Sequence, residues 1–164
     1  MSPLINSLAY YLCWYTLIAW QTPPYSWLAI GFVCVFAIAH FYYAKQKKAE
    51  FLYSIQITVI GTLIDSIFML FNVYEFNSGQ RFLIPIWLVL IWFNFSMLLS
   101  VSLRFLNGRW LLAGLLGGIF APLSYHAGSV LGAVLFPNPL LAYFLLALVW
   151  TFALPCFVKK VPGY

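Results

Sequence analysis

The stretch FLYSIQITVIGTLIDSIFMLFN, residues Phe51–Asn72, decides the fold. It is apolar for the length of a bilayer crossing, which takes about 20 residues of α-helix. Yet it carries an acid, Asp65, well inside the run. An acidic side chain near the bilayer centre costs about 2.5–3.5 kcal/mol on insertion scales. A partner, water or a proton must offset that cost. Ser54, Thr58, Gly61, Asp65 and Asn72 recur at steps of three, four and seven, which places them on one face of a helix. The spacing predicts a transmembrane helix whose polar face turns into a bundle of other helices.

The rest of the chain agrees with a membrane setting. Of its 164 residues, 65% are hydrophobic, 21% are aromatic and 7% are charged, against about 25% charged in an ordinary soluble domain. A soluble fold of this size has too much surface for its core to hide so much apolar area. The net charge of +5 does not indicate nucleic acid, because the eight Lys and Arg are scattered among apolar runs and form no basic face. Cys13, Cys34 and Cys156 lie in apolar stretches without CxxC spacing and read as buried small hydrophobes. No spacing of ligand residues calls for a metal, and no motif calls for a cofactor. The N-terminus lacks the basic region and cleavage site of a signal peptide, so it reads as a retained first span.

Six spans are expected in a single domain over residues 1–164: Leu4–Trp20, Trp27–Tyr43, Phe51–Asn72, Phe82–Arg104, Trp110–Leu135 and Leu140–Val158. Pro23-Pro24, the Lys45–Lys48 run, the polar turn Tyr74–Gln80, Asn107-Gly108 and Pro137-Asn138-Pro139 separate them. The fifth is long enough for one helix kinked at Pro122 or for two shorter segments. Six crossings put Lys45, Lys47, Lys48, Arg104, Arg109, Lys159 and Lys160 on one side and only Arg81 on the other. That asymmetry places both termini in the cytoplasm. Trp20, Tyr25, Trp27, Tyr42, Tyr43, Tyr74, Trp110 and Trp150 fall near span ends, as an aromatic belt would. The expected architecture is an all-α, polytopic membrane bundle of six helices, the fifth kinked at Pro122.

Polar residues inside the spans mark the candidate site. Pro122 leaves carbonyls of its helix without partners, and Ser124, Tyr125 and His126 follow it directly. By helix rise this segment lies roughly 18–24 Å from the start of its span, and Asp65 about 21 Å from the start of the third. An Asp–His or Asp–Tyr bond across helices is open at that common depth. Asp65 and His126 are the candidates for catalysis. Asp65, Asn94, Ser124, Tyr125 and His126 are the candidates for binding. Asn94 also fits an interhelical hydrogen bond, and its sequon would be hidden inside the fourth span. Gly114, Gly118, Ala121, Gly128 and Gly132 form a small-residue side of the fifth span, suited to close packing within the bundle or between copies of the chain. His40 falls near the cytoplasmic end of the second span, where a polar side chain costs little.

These residues resemble the DUF2878 family of bacterial inner-membrane proteins over nearly the whole chain. The resemblance rests on Asn6 with Trp14, His40, Leu63-Ile64-Asp65-Ser66, Pro85-Ile86-Trp87 with Leu90-Ile91-Trp92, Ser102-Leu103-Arg104, and Ala121 to Gly128 followed by Leu131-Gly132-Ala133. Ala121 stands where the family usually has glycine, and Ser100-Val101 where it often has Asn-His. The resemblance implies an inner-membrane location and supplies no activity.

Three functions remain open on the sequence. The favoured reading is a protein that binds or modifies a lipid or lipophilic small molecule at a polar site around Asp65 and the Pro122–Gly128 segment. Short loops leave no room for a soluble substrate domain. The others are a small proton-coupled transporter and a non-catalytic assembly partner. The expected partners are membrane lipids, a lipophilic ligand and a second copy of the chain through the glycine faces, with no nucleic acid.

Overall fold

A computed structural model of the chain describes residues 1–77 and 82–163. Six helices follow in order: α1 (Pro3–Ala19), α2 (Tyr25–Tyr43), α3 (Lys47–Leu70), α4 (Ile86–Val101), α5 (Trp110–Val130) and α6 (Pro139–Lys159). Local sequence sets several of their ends. The Ser2 hydroxyl accepts from the Ile5 amide ahead of Pro3, and the Asn138 side chain accepts from Leu141 ahead of Pro139. A polar cap followed by proline in the first turn satisfies one orphan amide and removes another. α2, α3, α5 and α6 are long and apolar enough, by length and composition, to cross a membrane. The chain is a membrane protein. Its outward side chains agree: Leu111 and Leu140 are 86% and 83% exposed, far more apolar surface than water would tolerate in contiguous patches.

Several boundaries differ from the sequence expectation. α4 starts at Ile86, not Phe82, because Pro85 at its N-cap has extended backbone, and it ends at Val101 ahead of a 3-10 turn at Arg104–Leu106. α5 ends at Val130, not Leu135. Gly132 adopts φ +76°, a left-handed turn that glycine takes without steric cost. Val134–Leu135 then forms a short strand, β2, antiparallel to β1 (Glu75–Phe76), with Glu75 opposite Leu135 and Phe76 opposite Val134. Residues 110–130 are one helix with Pro122 inside it. α3 begins four residues early, so Lys47 and Lys48 belong to its first turn. Ser78, Gly79, Gln80 and Arg81, the end of the expected polar turn and the lone opposing charge, lie outside the described residues.

The helices pack as two groups. α4 is the hub of the first, with α1 and α3 laid along it and α2 against α1. α5 and α6 form the second, a close pair. Glycine explains their closeness. A Cβ on Gly117 would stand 2.3 Å from the Trp150 carbonyl oxygen, and one on Gly118 would stand 2.5 Å from Thr151 Oγ1. The small-residue side of α5 is therefore taken up largely by α6, while Gly132 has left the helix. Between the groups, α1 and α5 make no extended contact.

Gly61 of α3 faces the tightest site. Its added Cβ would stand 1.9 Å from Cδ2 of Trp92, so the indole lies flat against bare backbone. Gly61→Ala is expected to destabilise the bundle by about 1–3 kcal/mol, the usual cost of overpacking. Gly31→Ala, at a position with nothing within 4 Å, should be neutral or slightly stabilising. Thermal unfolding of both variants in mild detergent checks this. Equal stability of the two would contradict the packing of Trp92 on Gly61.

Candidate functional site

Asp65 is fully buried, and three donors converge on its carboxyl group. Trp92 Nε1 donates to Oδ2 at 2.7 Å. The Tyr74 and Tyr125 hydroxyls both donate to Oδ1, each at 2.5 Å. These donors come from α4, from the segment between α3 and β1, and from α5. One side chain thus ties four parts of the chain together, including α3 and α5, which otherwise have no extended packing. The offset demanded by a buried acid is met by hydrogen bonds.

Each donor is placed by its own local structure. Trp92 reaches Asp65 because Gly61, one turn earlier on the same face of α3, leaves room for the indole. The ring is held from its other side by Trp150, stacked at 5.2 Å with an interplanar angle of 8°. Tyr74 is positioned by the pairing of β1 with β2 directly after it, and its ring packs against Tyr125, Phe76 and Phe136. Burial, with Asp65 beside it, pushes the Tyr74 phenol well above its usual range, so it remains a donor. Tyr125 lies one turn beyond Pro122 on α5.

The remaining candidates are distributed differently. Asn94 is fully buried and its Nδ2 donates to the Tyr10 carbonyl at 3.1 Å, an α1–α4 tie away from Asp65. Asn6 makes a second such tie, donating to the Met97 carbonyl and accepting from the Ser102 hydroxyl. His126 does not approach Asp65. It is exposed, and its Nδ1 lies 2.8 Å from the Tyr143 hydroxyl of α6. Of the Asp–His and Asp–Tyr alternatives, the structure contains the Asp–Tyr bond. Thr58 is half-buried and bonds its own helix at Ser54, while Asn72 has left the helix with φ 54°. His40 is 2% exposed, with Nε2 3.2 Å from Glu50 Oε2. No well-aligned hydrogen bond reaches either ring nitrogen, so this is a close contact more than a directed bond.

Beside the carboxyl cluster, the gap between α1 and α5 opens into a cavity of about 560 Å³. α4 and α6 close its back through Trp92 and Trp150, and Val134 of β2 lies at one end. Trp14 and Tyr10 line it from α1, and Ser124 and Tyr125 from α5. Trp92 and Tyr125 therefore serve two roles: their rings form cavity wall, while their polar atoms bond Asp65. The carboxyl group acts on the cavity by fixing that wall. Among the described residues, no group of three or more His, Cys, Asp or Glu is placed to hold a metal ion.

The family model for DUF2878, described as a protein of unknown function, matches residues 3–156. The chain belongs to this family. No curated protein and no solved structure matches it.

Sequence reasoning missed Trp92 and Tyr74 as partners of Asp65. Tyr74 and Trp150, read as belt residues from their place near span ends, are 0% and 9% exposed and belong to the core. Cys34 and Cys156, read as buried, are exposed on the outside of the bundle.

Loss of a single donor should cost less than loss of the carboxyl group the donors share. Tyr74→Phe and Tyr125→Phe are each expected to cost about 0.6–1.7 kcal/mol, from the average to the largest value measured for hydrogen bonds between membrane helices. Asp65→Leu should cost more than either, since it strands three buried donors at about 1–3 kcal/mol each. Unfolding measurements on the three variants check the order. An Asp65→Leu protein as stable as the wild type would contradict it.

Proposed function

We propose that this DUF2878 protein is a multi-pass bacterial inner-membrane protein that binds or modifies a lipid or lipophilic small molecule in the cavity between α1, α4 and α5. The cavity carries this reading. Its volume of about 560 Å³ falls within the usual range of small-molecule sites, about 300–1,000 Å³, and its walls are apolar and aromatic with a few polar groups, as such sites are. Its position between two helix groups that do not close on each other gives a lateral entrance for a molecule dissolved in the bilayer.

In this reading Ser124 and Tyr125 face the ligand. Asp65 is a positioning residue that acts through Tyr125 and Trp92, and Asn94 holds α1 against α4 at the cavity's back. His126, paired with Tyr143 outside the cavity, is left without a part in binding. A proton-coupled carrier draws less support, because Asp65 is enclosed and occupied by three donors. An assembly partner using the α5 glycines draws less support too, because α6 covers Gly117 and Gly118. With all six helices crossing, the seven-to-one distribution of basic residues puts both termini in the cytoplasm.

A photoactivatable fatty acyl probe incorporated into membranes containing the protein tests the binding site. Crosslinks are expected to concentrate on Trp14, Leu116 and Ser124. Labelling spread evenly over outward residues such as Leu111, Leu140 and Phe144 would count against a specific site. In the same membranes, a periplasm-dependent reporter fused after Tyr164 should be silent, and one inserted at Asn77 should be active. The reverse pattern would overturn the orientation.

A further inference from the structure

We propose that the cavity selects an uncharged, elongated lipophile carrying a hydrogen-bond-accepting oxygen, such as an ester or ketone carbonyl, and that Tyr10, Trp14 and Ser124 recognise that oxygen. This rests on the cavity being a ligand site. Its shape follows from the elements that line it. The lining runs from Leu116 to Gly128 on α5, about 18 Å at the rise of a helix. On α4 it runs from Trp87 to Leu98, about 16 Å by the same rise. The space is a slot along the helix axes that spans roughly half of a ~30 Å hydrocarbon layer.

Charge decides the first part of the selection. Among the described residues, no Asp, Glu, Lys, Arg or His lines the slot. A carboxylate or phosphate drawn into it would lose its hydration and find no counter-charge, a cost that drives such groups back to water. The part of the ligand that enters is therefore neutral.

The polar atoms decide the second part. Trp92 and Tyr125 spend their donors on Asp65, behind the wall. Tyr10, Trp14 and Ser124 do not. Among the described residues, the Tyr10 hydroxyl, the Trp14 indole N–H and the Ser124 hydroxyl have no hydrogen-bond partner, although Tyr10 is only 8% exposed; the Trp87 N–H, also on the lining, is buried without a partner. Serine in a membrane helix commonly bonds back to a carbonyl one turn earlier. Thr16, Thr58, Ser100 and Thr151 do so here, and Ser124 does not. Tyr10, Trp14 and Ser124 can all donate, and a tryptophan N–H can only donate. A pure hydrocarbon would leave them unsatisfied in an apolar slot, whereas an accepting oxygen would pair with them.

Purified protein is tested by native mass spectrometry with three probes of equal chain length: methyl stearate, stearate at alkaline pH, and octadecane. Saturable binding of the ester is expected, about tenfold tighter than of the alkane, equivalent to about 1.4 kcal/mol. A Tyr10→Phe/Ser124→Ala variant should weaken ester binding toward the level of the alkane, with only the Trp14 donor of the three left, while keeping its thermal stability, because neither side chain hydrogen-bonds another in the protein. Ester and alkane binding equally well would overturn the recognition by Tyr10, Trp14 and Ser124 while leaving the cavity as a lipophile site. Tightest binding of stearate would overturn the selection for neutral ligands. No saturable binding of any probe would remove the ligand site itself, and this inference with it.

Discussion

The arrangement depends on one carboxyl group in an apolar bundle. Asp65 cannot sit at this depth unpartnered, so the chain must deliver donors to it. Three arrive, from α4, from α5 and from the segment leading into β1. Helices in lipid gain little from hydrophobic association, because the surrounding chains are as apolar as their own side chains. A buried polar node that can be satisfied only when several elements meet is therefore a strong source of register. Here it brings α5 to α3, two helices that do not pack along their lengths. Gly61 is the other half of the device: one turn before the acid, it lets the Trp92 indole lie close enough to α3 for its N–H to reach the carboxyl.

That node also determines where the bundle stays open. α5 is fastened to α6 along its glycines and to α3 at a single point, and it leaves α1 uncovered. The resulting cavity has a rigid aromatic back, in which Trp92 is held by Asp65, by Gly61 and by its stack on Trp150. Tyr125 is the nearest coupling between the two: its hydroxyl is bound on the Asp65 side while its ring lines the slot. In such a site the acid need not touch a ligand to matter. It holds the wall in one position, and pre-organisation of this kind lowers the ordering cost of binding.

Much of this was legible in the sequence because it rests on period and composition. The six helices follow from apolar runs broken by proline, asparagine and lysine, and the Ser54–Gly61–Asp65 face follows from helical spacing. The common depth of Asp65 and the segment after Pro122 gave the Asp–Tyr alternative that the structure contains. The misses have a shared cause. Trp92, Tyr74 and Trp150 lie in apolar or turn contexts where lipid-facing and core-facing aromatics look alike, since a membrane removes the hydrophobic contrast between inside and outside. The β1–β2 pair was hidden because Val134 and Leu135 continue the hydropathy of α5, and only Gly132 marks the turn between them. The cavity had no linear signal. It comes from the absence of packing between α1 and α5, which is set by contacts far apart in the chain.

The most direct test of the Asp65 node is the indole proton of Trp92, observed by NMR in protein labelled with ¹⁵N-tryptophan and assigned with a Trp92→Phe variant. A bond to a carboxyl oxygen at 2.7 Å predicts that this proton resonates downfield of the other indole protons and exchanges slowly with solvent. It should move upfield and exchange faster in Asp65→Leu. A Trp92 indole proton that sits among the rest in the wild type, or that does not respond to the loss of Asp65, would contradict the account.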